Sequence, residues 1–279
     1  MNNEEWKTGL SYKLSLGVVI LTIAVSLIDL LYPPIFLKET TSAKAQVIGQ
    51  DLVNLILGVP ALLYSMSYAR RGSIKARLIW LGVLAYYAYT YLSYGVLFKL
   101  NSGFILYTAA FAFSLYATLL NLAGLNIDKL EIESKKTTRR RTQYVLGLII
   151  VIIALLWTPD LATYYLQGGT PAAITSEGFH TLIIPFQDYS ILLPLTILTI
   201  WLLQKQETTG YILAPVILVK AFSIAVAVAG MIIFMQIAGT PASLSQIIIF
   251  LLGGTLIGLY LRNYLKNLQI TVKTTSPET

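Results

Sequence analysis

The chain has 279 residues, of which 56% are hydrophobic and 12% charged, against about 25% charged in an ordinary soluble domain. That balance makes the bilayer its main solvent, and the formal charge of +7 does not signal a nucleic-acid reader, whose basic residues need a folded polar surface. With no cysteine and a single histidine, His180, disulfides, thiolate chemistry, zinc–thiolate sites and bis-histidine haem are excluded, and no cofactor is expected.

The opening segment MNNEEWKTGLSYK leads into an apolar stretch from Leu14 to Leu31. It is too long for a signal-peptide core and has no small-residue cleavage site behind it, so it is read as a retained first helix. Uncharged runs of the length that a hydrocarbon layer of about 30 Å requires then recur along the chain. They predict helices over 14–32, 47–68, 76–98 and 104–125, and again over 143–166, 186–204, 211–235 and 243–262. The expected fold class is all-α, a polytopic membrane helix bundle with eight transmembrane helices.

Lys and Arg give an orientation test independent of hydropathy, because cytoplasmic loops accumulate them. With the N-terminus inside, sixteen of the 20 fall on inner segments, among them Arg70, Arg71, Lys75 and Arg77 and the run Lys135, Lys136, Arg139, Arg140 and Arg141. Lys38, Lys44 and Lys99 fall outside, and Lys220 lies within a helix. The expected location is the cell membrane, with both termini cytoplasmic.

The chain also repeats itself. Leu16-Gly17-Val18 leading to Asp29 is answered by Leu146-Gly147-Leu148 leading to Asp160, and Gln50-Asp51 with Pro60 by Gln187-Asp188 with Pro194. Gly72 is answered by Gly210, and Leu115-Tyr116 by Leu259-Tyr260. Units of four helices share one topology, so two parallel four-helix repeats are predicted, related by an axis along the membrane normal. Residues 1–125 form the first repeat, 126–142 a charged cytoplasmic linker, 143–265 the second repeat and 266–279 a disordered tail. The linker reads as a topology anchor, with anionic lipid at the inner face a candidate partner beside the bilayer itself. Gly254 and Gly258 form a GxxxG motif, which serves either close packing or contact with a second copy or another membrane protein.

Four aspartates, Asp29, Asp51, Asp160 and Asp188, fall at the outer ends of helices 1, 2, 5 and 6, in matching places of the two repeats. Together they predict a shared outer vestibule attractive to cations or protons. Asp51 and Asp188 sit near helix starts, where a carboxylate also caps free N–H groups. Asp29 and Asp160 sit late in their helices, beside Pro33-Pro34 and Pro159, where both helices are expected to break.

Lys220 lies about ten residues into helix 7, roughly 15 Å deep and near the bilayer midplane. A lysine there costs about 2.5–3.5 kcal/mol on insertion scales, so it is expected to face the bundle and pair with Asp160 or Asp29. Tyr86 and Tyr87, deep in a tyrosine-rich helix 3, occupy the repeat counterpart of Lys220 and are candidate lining residues. The connection from Gln167 to Gln187 is the longest outer loop, a candidate lid or interfacial helix, and carries Glu177 and His180 at i, i+3 spacing.

Gln50-Asp51 with a later proline, Arg70-Arg71-Gly72-Ser73, the tyrosine-rich helix and Leu213-Ala214-Pro215 before Val219-Lys220 resemble multi-pass prokaryotic membrane proteins of unknown function, over most of the chain. That resemblance implies a membrane fold and carries no activity. Lys220-Ala221-Phe222 on a seventh helix faintly resembles the retinal-binding helix of microbial rhodopsins. Val216 stands where that family has an aspartate, and an eighth helix follows, so no retinal is implied. Two function classes remain: a channel or transporter of a cation, proton or small polar solute, and a non-catalytic membrane sensor, receptor or assembly subunit. An enzyme acting on a lipid or quinone stands third, for want of a paired catalytic motif.

Overall fold

The computed structural model describes residues 3–272, with side chains from residue 8 onward except those of Pro33 and Pro34. Long helices follow one another as α1 (Asn3–Leu31), α2 (Thr41–Arg70), α3 (Ile74–Leu97) and α4 (Phe104–Ala123), then α5 (Lys136–Gln167), α6 (Ile183–Lys205), α7 (Thr208–Ile237) and α8 (Leu244–Asn267). Seven of them, all but α3, are long and apolar enough to cross a membrane, as in a multi-pass integral membrane protein. Large apolar side chains stand exposed along the bundle, such as Leu148, Ile152 and Leu155 on α5 and Leu252, Leu256 and Leu259 on α8. Water penalises such a surface and hydrocarbon does not.

The helix that fails the apolarity test does so for a chemical reason. Tyr86, Tyr87, Tyr89, Tyr91 and Tyr94 make α3 too polar in composition, yet Tyr86, Tyr87, Tyr91 and Tyr94 are all buried. Helix α3 lies at the centre of the bundle, against α2, α4 and α7, and α7 packs in turn on α2, α3, α6 and α8. Missing side chains fix two of these crossings. A Cβ on Gly49 of α2 would strike the Gly230 carbonyl of α7, and one on Gly82 of α3 would come within 2.5 Å of Val219 Cβ. The GxxxG of α8 is likewise spent within the chain: Gly254 faces Ala225 and Gly258 faces Phe222, both on α7. The motif therefore packs α8 on its own bundle rather than presenting a dimer face.

Helices α2 and α6 each widen into a π-segment just before a proline. The segments are Asn54–Gly58 ahead of Pro60 and Asp188–Leu192 ahead of Pro194. Proline offers no N–H to the preceding turn, and the helix accommodates it by shifting to i→i−5 pairing. Val59 N–H accordingly donates to Asn54 O, and Leu193 N–H to Asp188 O.

Several expectations are corrected at the ends of the helices. Pro159 does not break α5, which runs on to Gln167 and stops at Gly168 in the left-handed region with φ 66°. Residues 136–142 of the linker are the first turns of that helix, and Leu130–Glu133 (β1) pairs antiparallel with Gln269–Val272 (β2). Leu130 and Ile132 are buried while Glu131 and Glu133 point out, the alternation a half-covered strand requires. The tail predicted to be disordered from 266 is thus ordered to Val272: α8 continues to Asn267, and β1 takes up the backbone groups beyond it. Residues 273–279 lie outside the described residues.

Candidate functional site

The four outer aspartates do not converge on one vestibule. Three are buried, Asp29, Asp51 and Asp188, and they fall into two separate clusters. Asp160 is half-exposed on α5 and forms no ion pair among the described residues. Asp51 and Asp188 are not caps either. Helix α2 begins ten residues before Asp51, where Thr40 Oγ1 accepts from Ala43 N–H, and α6 begins at Ile183.

In the first cluster Asp29 and Asp51 meet side chain to side chain, within hydrogen-bonding reach of each other. A bond between them would need one proton held between the two acids. Asp51 Oδ1 accepts from Ser26 Oγ at 3.1 Å, Tyr94 OH at 3.2 Å and Asn54 Nδ2 at 3.3 Å. Tyr107 OH donates to both Asp29 oxygens, at 3.1 and 3.3 Å. The sequence positions these groups by helical spacing. Ser26 and Asp29 share a face of α1, Asp51 and Asn54 a face of α2, and Tyr87, Tyr91 and Tyr94 a face of α3.

The second cluster surrounds Lys220. Its partner is Asp188, with Nζ 3.4 Å from Oδ1, and not the expected Asp160 or Asp29. Asp160 lies on α5, which touches α7 only marginally, and Asp29 is taken up by Asp51. Lys220 Nζ also sits 3.7 Å from the centroid of the Tyr89 ring, whose hydroxyl donates to Asp188 Oδ1 at 3.1 Å. Trp157 Nε1 donates to Asp188 Oδ2 at 2.9 Å. Each charge is thereby opposed, which makes a lysine at this depth tolerable.

Helix α3 stands between the clusters and serves both. Tyr86 OH donates to Asn54 Oδ1 at 2.7 Å and accepts from Gln50 Nε2 at 2.8 Å, while Tyr87 OH donates to the Asn54 carbonyl at 3.3 Å. On the other face Ser93 Oγ accepts from Gln187 Nε2 at 2.7 Å. Sequence reasoning singled out Tyr86 and Tyr87 and missed Ser26, Asn54, Tyr89, Tyr94, Tyr107 and Trp157. The signal was present in the polar residues at i, i+4 and i+7 of apolar helices, Thr22-Ser26-Asp29 above all.

Two pockets, of about 430 and 290 Å³, open at the end of the bundle away from Arg70 and Arg71. Neither is lined by Asp29, Asp51, Asp188 or Lys220. The larger lies where the loop between α5 and α6 meets α2: Gln46 Nε2 donates to Glu177 Oε2 at 2.9 Å, and Thr40 Oγ1 to Glu177 O at 3.2 Å. Glu177 thus turns to α2 rather than to His180.

No family model, curated protein or solved structure matches the chain, so the site is read from its own chemistry. That chemistry is a multi-pass membrane protein with a buried acid pair and a buried ion pair.

Proposed function

We propose that the chain is a membrane transporter or channel for a proton or small cation, with Asp29 and Asp51 as its binding station and Lys220–Asp188 as the counter-charge beside it. One observation carries the reading: two carboxyls face each other, both buried, inside a bundle whose surface is apolar. Ionisable groups are expensive in a membrane interior, and those retained there commonly mark ion or proton pathways. The π-segments beside both clusters support it, since irregular backbone at membrane depth is tolerated where it is enclosed by protein or lines a path.

In this reading α3 is an eighth span, and α1–α4 and α5–α8 are two parallel repeats with both termini on the Arg-rich side. The matching π-segments and prolines of α2 and α6 favour it. Purified protein in proteoliposomes loaded with a pH-sensitive dye tests it. An imposed potential should drive proton or cation flux through the native chain, and Asp51→Asn should abolish the flux while eluting as the same monodisperse species.

A second reading, a non-catalytic sensor or assembly subunit, is favoured by the position of the two pockets, which are not lined by the acids. It predicts no flux from either protein and a membrane partner that co-purifies with both.

A further inference from the structure

Three buried polar atoms have no hydrogen-bond partner and belong to one neighbourhood: Asp51 Oδ2, Thr22 Oγ1 and Tyr91 OH. All three residues are fully buried. Thr22 stands one turn before Ser26 on the face of α1 that carries Asp29, and Tyr91 stands between Tyr87 and Tyr94 on the face of α3 that reaches Asp51. Tyr91 interacts electrostatically with Asp51 and Asp29 and approaches Thr22. A buried hydroxyl without a hydrogen-bond partner costs about 1–3 kcal/mol, so two of them beside a carboxylate oxygen with no donor are a costly arrangement unless a further group satisfies them.

We infer that Asp29, Asp51, Thr22, Ser26, Asn54 and Tyr91 form a binding site for a desolvated monovalent cation of the Na⁺ type, which exchanges with the proton the two aspartates share. The donors are all oxygens, from carboxyl, hydroxyl and amide groups, and hard cations select such sets. A monovalent ion leaves the pair at the net charge it carries with its shared proton, whereas a divalent ion is commonly held by more acidic or histidine ligands than two, and among the described residues no group of three or more His, Cys, Asp or Glu forms. The exchange conserves charge: the pair with its proton carries −1, and the doubly ionised pair with Na⁺ also carries −1, releasing one H⁺. The other titratable groups facing the pair are the hydroxyls of Tyr86, Tyr87 and Tyr94 on α3 and Tyr107 on α4. Ser26 Oγ already points at Asp51, whereas Asn54 presents its amide nitrogen there and its oxygen to Tyr86, so the Asn54 amide and the hydroxyls of Thr22 and Tyr91 must turn to complete the shell.

The inference rests on the transport reading and is tested apart from it, by binding in detergent. NaCl added to weakly buffered purified protein should release one proton per chain to an indicator dye, with choline chloride as the ionic-strength control and MgCl₂ as the divalent one. Asp29→Asn and Asp51→Asn should each lose the release. Thr22→Val and Tyr91→Phe keep both carboxyls and should weaken Na⁺ by about tenfold, the loss of a single oxygen ligand. No release above the choline control, release by Mg²⁺ at lower concentration than by Na⁺, or unchanged Na⁺ titration in both Thr22→Val and Tyr91→Phe overturns the site. Proton flux in proteoliposomes without Na⁺-driven release refutes the site and leaves the transport reading standing. Na⁺ binding without flux does the reverse.

Discussion

Lys220 Nζ lies 3.4 Å from Asp188 Oδ1, and the same two places 134 residues earlier in the chain are held by Tyr86 and Asn54, whose side chains bond at 2.7 Å. Pro60 and Pro194, and the π-segments before them, keep that same offset. At this offset a neutral hydrogen bond joins α2 to α3 and an ion pair joins α6 to α7. On the repeat reading, packing at this position does not require the charge on the second pair.

Replacing the ion pair by its neutral counterpart should be tolerated. Asp188→Asn with Lys220→Tyr should fold with a thermal midpoint in detergent close to that of the native chain. Asp188→Asn alone strands a lysine whose side chain is 8% exposed and should cost about 3–5 kcal/mol. A double-mutant cycle showing additive losses, with no recovery in the pair, would refute the equivalence.

The sequence made the helices legible because hydrocarbon imposes a length and a composition on anything that crosses it, and the runs around Leu14 to Leu31 or Ile212 to Ile233 obey both. It also made legible that Lys220 turns inward. The choice of Asp188 was hidden, because a partner depends on helix rotation and neighbour order, and hydropathy encodes neither. Asp29 and Asp51 were expected to share an outer vestibule with Asp160 and Asp188 and instead meet each other alone. In the first half α1 and α4 pack closely, whereas α5 and α8 barely touch, so the two halves do not place their first and last helices alike. The strand pairing of linker and tail was invisible for a different reason: four residues of alternating burial carry too little periodicity to be told from a polar loop.

The approach of α2 to α7 depends on two glycines. Gly49→Ala would set a methyl group against the Gly230 backbone, which no rotamer change can clear, and should lower stability by about 1–3 kcal/mol. Gly253→Ala is the control. Nothing lies within 4 Å of its Cβ, and in a helix interior alanine gains about 1 kcal/mol over glycine. Thermal unfolding of both variants should move in opposite directions, and equal shifts would refute close backbone contact at Gly49.

Ending the chain at Leu268 removes β2 and uncovers Leu130 and Ile132, which are now 6% and 2% exposed. The backbone amides of β1 then lose their ladder, and hydrogen exchange over 130–133 should accelerate by at least about tenfold, the mark of a locally opened segment. The amides of α3 and α7 are bonded within their own helices and should exchange as before. Unchanged protection in β1 would mean that α7, which also packs on β1, holds that strand by itself.

The loop between α5 and α6 is fastened to α2 by Glu177, whose side chain accepts from Gln46 and whose carbonyl accepts from Thr40. Glu177→Ala removes the first of these bonds and leaves the backbone one, so the loop should loosen without unfolding the bundle. Limited proteolysis between Gly168 and Leu182 should then quicken several-fold, while the thermal midpoint shifts by no more than the roughly 1 kcal/mol that one part-buried hydrogen bond contributes. Glu177→Gln separates charge from hydrogen bonding, because its amide oxygen still accepts from Gln46 Nε2. Native-like proteolysis in Glu177→Gln means the bond fastens the loop. Cleavage as fast as in Glu177→Ala means the carboxylate charge is required, and native-like cleavage in both leaves the fastening to the Thr40 bond.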